Sequence, residues 1–293
     1  MQEFTSQTEL KKITDNTIYT PPQFLNKAKI VFHKTGNILF CEEGVRFSGL
    51  INFAGSNSVV YLSKNKFAYN LNLTVWDNAT CYFGKNNYFN GALSAIVSER
   101  RSLLVGNDCL FSFGIWMRTA DPHLIYDCSS KKRINPSKDI LIGDHVWIGQ
   151  DAKILKGAFI GSGSIIAAGA LASGKEYPSN CSIGGIPAKV LNNNVFFSSD
   201  SVHAFTSEQT EKSQIYSGKQ SWIYDAAKSK MHYSSLLESL QDSSPQDRLA
   251  ILNRIRNNKE HNRFAIANLF QNRDKKINRT IKAIKSSFRK AKK

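Results

Sequence analysis

Six histidines occur in the chain, and His123 stands where a base would be useful. An imidazole titrates near neutral pH, so it can take a proton from a weakly acidic group and hand it on. Asp121 and Asp127 flank it in the stretch Arg118-Thr-Ala-Asp-Pro-His123-Leu-Ile-Tyr-Asp127. Either carboxylate could orient the ring through its other nitrogen, and the residues alone do not choose between them. Trp147 follows downstream of His123 and carries a donor N–H on a broad flat surface. His145, two residues before Trp147, is a rival base, expected at a corner facing solvent. Cys128 lies near His123, but nothing around it marks a low-pKa thiol. A lone histidine after a proline is more often a solvated loop residue, so His123 needs a setting that singles it out.

That setting is a six-residue beat. Ile142, Ile148, Ile154, Ile160 and Ile166 recur at intervals of six. Val146, Ala152, Ala158, Ser164 and Ala170 stand four places after them, and Gly143, Gly149 and Gly161 directly follow three of them. Neither the helical period nor strict alternation gives this pattern, whereas the hexapeptide repeat of a parallel β-helix does. Each repeat supplies one short strand and one tight corner, with the aliphatic residue inside the prism. A weaker beat at Val105 and Phe111, with Cys109 and Ile115 four places on, predicts further coils. The interval from Phe111 to Ile142 is not a multiple of six. The polar segment Arg118–Asp139, with two prolines and a Lys-Lys-Arg run, is therefore expected as a loop thrown out of a rigid scaffold, where chemistry is usually placed.

The expected organisation is mainly β. Residues 1–29 form an N-terminal lead-in, residues 30–191 a β-helix carrying loop 118–139, and residues 192–293 a linker and a basic helical region. Ile30 to Trp116 is rich in Asn, Gly and alternating apolar residues, which predicts short strands between turns. Ser244-Pro245 predicts a helix start, with Leu249, Leu252 and Ile255 on one face. No apolar run approaches the length of a membrane span, and the first residues lack the order of a signal peptide. Five scattered cysteines without a Cys-x-x-Cys pair argue for reduced thiols and a cytoplasmic setting. The net charge of +16 is uneven, since Arg248–Lys293 alone carries 15 Lys/Arg against two acids. The remaining body is nearly neutral and gives no electrostatic case for nucleic acid.

Together with Gly143-Asp-His-Val-Trp147-Ile-Gly149, Ile-Leu-Lys-Gly and Gly-Gly-Ile-Pro-Ala-Lys-Val, the loop sequence resembles the hexapeptide-repeat acetyltransferases. It looks most like the O-acetyltransferases of bacterial capsule and lipopolysaccharide sugars, those of polysialic acid included, over about Val105–Leu191. The resemblance implies a left-handed parallel β-helix with a C-terminal α-helical extension, a homotrimer, and acetyl-CoA as the acetyl donor with no metal. It implies His123 and Trp147 as catalytic residues, the first a general base and the second a thioester contact. It implies coenzyme contacts at Trp147, Gln150, Ala168, Ser173 and Lys189, and Lys175 and Lys189 would meet phosphates as point charges. One departure stands out, because Ser173–Pro178 runs one residue longer than the commoner pattern.

The acceptor would be a hydroxyl of a capsular or other surface polysaccharide, or alternatively of a small sugar, nucleotide sugar or xenobiotic. A γ-class carbonic anhydrase shares the coil but needs three zinc-binding histidines, two of them closely spaced, and this chain has none so paired. A sugar nucleotidyltransferase would need a preceding nucleotide-binding domain. A non-enzymatic scaffold with a docking tail is the remaining alternative. In the tail, Ile277, Ile281, Ile284 and Phe288 make an apolar stripe among lysines and arginines. Such a helix could lie on the inner face of the membrane or join a capsule-assembly complex.

Overall fold

In the computed structural model of the chain, residues 1–268 are described. The basic stripe from Ile277 to Phe288 lies outside them.

Short strands stack into three sheets, the faces of a prism. The first face includes Arg46–Phe53, Tyr69–Val75, Leu93–Val97, Trp116–Arg118, Lys153–Leu155 and Leu171–Ala172. The second includes Val59–Leu62, Thr80–Phe83, Ser102–Val105, Ile140–Ile142 and Phe159–Ile160. The third includes Tyr88–Phe89, Leu110–Phe111, Trp147–Ile148, Ile165–Ile166 and Cys181–Gly184. Within each face these strands pair in parallel, and the chain visits the faces in rotation. The fold is a left-handed parallel β-helix, the exception to right-handed crossover. Antiparallel pairs close both ends: Gln2–Phe4 on Lys29–Phe32, and Cys181–Gly184 on Lys189–Asn193. Pairing begins early, since Thr17–Tyr19 and Gln23–Phe24 already sit in the second and first faces.

The beat has a simple geometry. All five isoleucines from Ile142 to Ile166 are fully buried, as are the small residues four places on. The third residue after each isoleucine turns the corner at positive φ: His145 (51°), Asp151 (57°), Gly157 (74°), Gly163 (76°) and Gly169 (68°). Gly143, Gly149 and Gly161 answer a different need. A Cβ there would stand 2.5 to 2.6 Å from the backbone nitrogen of the next coil, at Ser162, Ala168 and Ser179. Only glycine lets coils approach that closely.

Before the loop the repeat is longer, and this hid it from a six-residue scan. Val59 stands over Ile38 at a step of 21, and Leu93 over Leu71 at a step of 22. The corners are wider and are held by side chains. Asn16 Oδ1 accepts from the Asn37 amide at 2.9 Å, and Asn37 Oδ1 from the Ser58 amide at 2.8 Å. Asn65 and Asn87 repeat the arrangement toward Asn87 and Cys109. After the loop the step is 18, as for Trp147 and Ile165, and then 17 for Phe159 and Glu176. The Ser173–Pro178 stretch is thus one residue shorter than the coil before it in this chain.

The C-terminal region covers the second face. Helices Tyr233–Gln241 and Pro245–Asn257 set Leu237, Leu240, Leu252 and Ile255 against Val59, Tyr61, Tyr82, Leu104 and Leu141 in one apolar cluster. Ser244 caps the second helix through the Asp247 amide at 3.2 Å, with Pro245 in its first turn. Three of the region's cations hold this packing in place. Buried Arg248 donates to the Asn78 and Ala79 carbonyls at 2.7 and 3.2 Å. Buried Arg263 forks onto Asp144 at 2.7 and 2.8 Å, and Arg256 pairs with Glu42. Their charge is structural and is not free to serve a docking surface.

Candidate active site

The loop leaves the prism between the first and second faces, joining Trp116–Arg118 to Ile140–Ile142. In the coil before, Leu93–Val97 and Ser102–Val105 are joined at the same edge by four residues. The inserted segment folds as a small hairpin, with Tyr126 bridged to Arg133 and the Ile134 amide donating to the Ile125 carbonyl at 2.9 Å. Asn135, buried beneath the exposed stretch of the loop from Pro122 to Lys132, ties it together. Its Oδ1 accepts from the Ile125 amide at 2.9 Å and from Arg133 Nε at 3.3 Å. Its Nδ2 donates to the His123 carbonyl at 2.8 Å and to Asp121 at 3.1 Å. Arg133 forks onto Glu99, and Ser137 donates to the same carboxylate, whose pKa these contacts hold down to about 2.

These contacts fix the backbone of His123 and leave its ring at the surface. Neither candidate acid touches the ring. Asp121 accepts from Lys156 Nζ at 2.5 Å and from Asn135, and the lysine contact leads in holding its pKa down. Asp127 accepts from the Ser130 amide and hydroxyl at 2.7 and 2.8 Å and from the Ser129 amide, shaping the hairpin tip. Lys156 belongs to the Ile-Leu-Lys-Gly element, one coil further along the same edge. Sequence reasoning missed Asn135, Glu99 and Lys156. The recurrence of a polar residue at that edge in successive coils was the available signal.

Trp147 lies on the third face with 38 % of its surface exposed, and its Nε1 donates to Ser112 Oγ at 3.2 Å. The edge bearing His123 is opposite that face, so the prism itself separates the two residues within one chain. The other expected contacts divide the same way. Gln150 and Ala168 stack along the edge between the third and first faces, where the Gly169 amide donates to the Gln150 carbonyl at 2.7 Å. Lys189 begins the closing strand beyond them, and exposed Phe113 precedes Gln150 in the same column, its carbonyl accepting from the Asp151 amide. Ser173 and Lys175 stand on the His123 edge instead. There Lys175 lies over the Tyr177 ring at 5.0 Å and lines a cleft with Arg101, Lys138 and Phe159.

His145 is a correction. Expected at the surface, it is buried, stacked between Phe197 at 4.0 Å and Trp222 at 3.6 Å. Its Nε2 donates to the Phe197 carbonyl at 2.9 Å, and burial pulls its pKa down to about 4. The segment after the closing strand folds back over this corner, which the spacing of the beat could not foretell. His145 is thus a neutral packing residue, withdrawn from proton transfer. Cys128 is exposed, while burial raises the thiols of Cys41, Cys81 and Cys109. Among the described residues no group of three or more His, Cys, Asp or Glu converges to hold a metal ion.

No family model matches the chain. It is 34 % identical over 107 residues to a polysialic acid O-acetyltransferase of Escherichia coli O1:K1 / APEC, covering 36 % of this chain and 34 % of that protein. It is 31 % identical over 113 residues to a polysialic acid O-acetyltransferase of Neisseria meningitidis, covering 38 % of this chain and 51 % of that protein. The chain thus matches about half or less of the length of either relative. The crystal structure of a polySia-specific acetyltransferase aligns with 68 % of this chain and 93 % of its own, at 26 % identity and a TM-score of 0.57. By repeat, fold and these relatives, the chain is similar to the hexapeptide-repeat acetyltransferases.

Proposed function

We propose that the protein transfers an acetyl group from acetyl-CoA to a sugar hydroxyl of polysialic acid or a related bacterial surface polysaccharide. The observation that carries this reading is the alignment with a polySia-specific acetyltransferase over nearly all of that chain, with a TM-score above one half. The pinned loop supports it by presenting a histidine ring at the edge where the coil is interrupted.

The sugar hydroxyl needs a base, and His123 takes its proton as the oxygen attacks the thioester carbonyl carbon. The oxyanion that forms needs a donor, and the Trp147 N–H supplies it by exchanging its bond to Ser112 Oγ for one to the oxyanion. The carbon–sulfur bond then breaks, the thiolate leaves, and His123 returns the proton to it. Transfer is direct and needs no acyl-enzyme, so Cys128 has no part.

One chain carries Trp147, Gln150, Ala168 and Lys189 on one side of the prism and His123, Ser173 and Lys175 on another. Packing these unlike edges together around a threefold axis brings both sets into one cleft and closes the ring. The reading therefore includes a homotrimer with three shared sites, in which acetyl-CoA lies along the edge of Gln150 and Ala168. No helix among the described residues is long and apolar enough to cross a membrane. Acetyl-CoA as donor and five free cysteines favour the cytoplasm.

The test is transfer from labelled acetyl-CoA to a panel of capsular polymers, nucleotide sugars and small sugars. Label is expected in a polymer, and His123→Ala should lose at least about a thousandfold in kcat with coenzyme binding intact. Label confined to a small sugar would overturn the polysaccharide reading. An unchanged rate in His123→Ala would overturn the base assignment.

A further inference from the structure

Trp147 is one rung of a ladder. On the third face it pairs with Leu110, and Leu110 pairs with Tyr88, so their side chains share an outward column. Tyr88 is 38 % exposed and Phe67, one coil earlier, 49 %. The Phe67 and Tyr88 rings meet edge to face with centroids 5.2 Å apart, and Lys66 Nζ lies 5.5 Å from the centre of Phe67. At about 4.8 Å per rung, the column from Phe67 to Trp147 is roughly 14 Å long. Beyond Trp147 the column continues as Ile165 and Ser182, so its exposed aromatic rings lie on the N-terminal side.

Charge follows the rings. Lys64 and Lys66 are exposed and Lys85 half-buried beside this column, and among the described residues none of the three enters an ion pair. Glu42 at that corner is already engaged by Arg256. Aromatic faces held in water beside unpaired cations do nothing for the core, whose residues point the other way. They suit a chain of rings with apolar C–H faces and carboxylate substituents. The coenzyme residues extend from Trp147 toward the C-terminal coils, which leaves the N-terminal direction open for the acceptor.

We propose that the third face from Lys64 to Trp147 is a track for an extended anionic glycan, which lays its sugar rings on Phe67 and Tyr88 and its carboxylates against Lys64, Lys66 and Lys85. The acceptor is then a polymer read along the prism axis, not a single sugar. The inference rests on the transferase reading and names the acceptor that site takes.

The test compares Phe67→Ala/Tyr88→Ala and Lys64→Glu/Lys66→Glu with the unaltered full chain. Polysialic acid binding is titrated without acetyl-CoA at low and high salt, and steady-state transfer is measured on the polymer and on free sialic acid. Binding should weaken about tenfold in each variant, with a matching rise in KM for polymer. The salt dependence should shrink in the lysine variant. kcat, KM for acetyl-CoA, melting temperature and the rate on free sialic acid should stay unchanged. Unchanged polymer binding in both variants, or equal losses on polymer and free sugar, would overturn the track. If the variants lose polymer binding while no acceptor is acetylated, the track stands and the transferase reading falls.

Discussion

Asn135 gives the sharpest way to separate the loop's order from the prism's stability. Its side chain makes four hydrogen bonds, to the Ile125 amide, the His123 carbonyl, Asp121 and Arg133. In Asn135→Ala all four go. Each is worth about 0.5–1.5 kcal/mol net, and the exposed loop lets water take over part of the loss, so roughly 2–3 kcal/mol of local stability disappears. None of it comes from the apolar core, which the loop does not enter. If catalysis needs His123 held in one place, that amount is about a 30- to 150-fold loss in rate. The assay pairs initial rates of acetyl transfer with amide exchange and a thermal melt. Faster exchange is expected at Ile125 and Ile134, with the melting temperature moved by less than about 2 °C. A rate within twofold of the unaltered protein, at a loop shown by exchange to be loosened, would refute the claim that this anchoring positions the base.

Three further outcomes follow from the packing. His145 is held neutral with its pKa lowered to about 4, against about 6.5 in the unfolded chain. The unfolded state therefore binds the proton more readily, so the stability this group gives is complete above pH 6.5 and falls by an order of 3 kcal/mol as pH drops toward 4. Melts at pH 7.5 and 5 should show a smaller acid loss in His145→Phe, and an identical loss would exclude His145 as its source. Arg263→Met strands the Asp144 carboxylate in a buried site, which should cost about 3–5 kcal/mol in urea unfolding, and a cost under 1 kcal/mol would show the pair to be solvated. Gly149→Ala puts a Cβ 2.6 Å from the Ala168 nitrogen, whereas a Cβ on Gly174, at φ +65°, meets nothing within 4 Å. Gly174→Ala should cost only about 1–2 kcal/mol of backbone strain. Gly149→Ala should cost more, and the reverse order in melts would contradict the coil spacing.

The beat of six made the C-terminal coils legible because their corners turn in the fewest residues, leaving the aliphatic residue as the repeating signal. The coils before the loop obey the same plan at longer steps, where asparagine side chains bridge the wider corners. A scan for short periods reads them only as strands and turns. The loop was visible as an error in register, since the interval from Phe111 to Ile142 does not divide by six. Its anchoring was not, because Asn135, Glu99 and Lys156 are distant in sequence and meet only when edges stack.

His145 marks the same limit. A corner position predicts exposure, yet Phe197 and Trp222 return from far along the chain to enclose it. Local period fixes where a residue sits on the prism, but not what later folds over it. The consequence for function is concrete. Of two histidines near Trp147 in sequence, the nearer is sealed into packing and the farther is held out at an edge with its ring uncovered. The same reasoning bears on the basic C-terminal region, where Arg248, Arg256 and Arg263 are spent on holding helices to the second face. Docking by that region would therefore draw on other cations, exposed Arg254 and Lys259 among them, which enter no ion pair among the described residues.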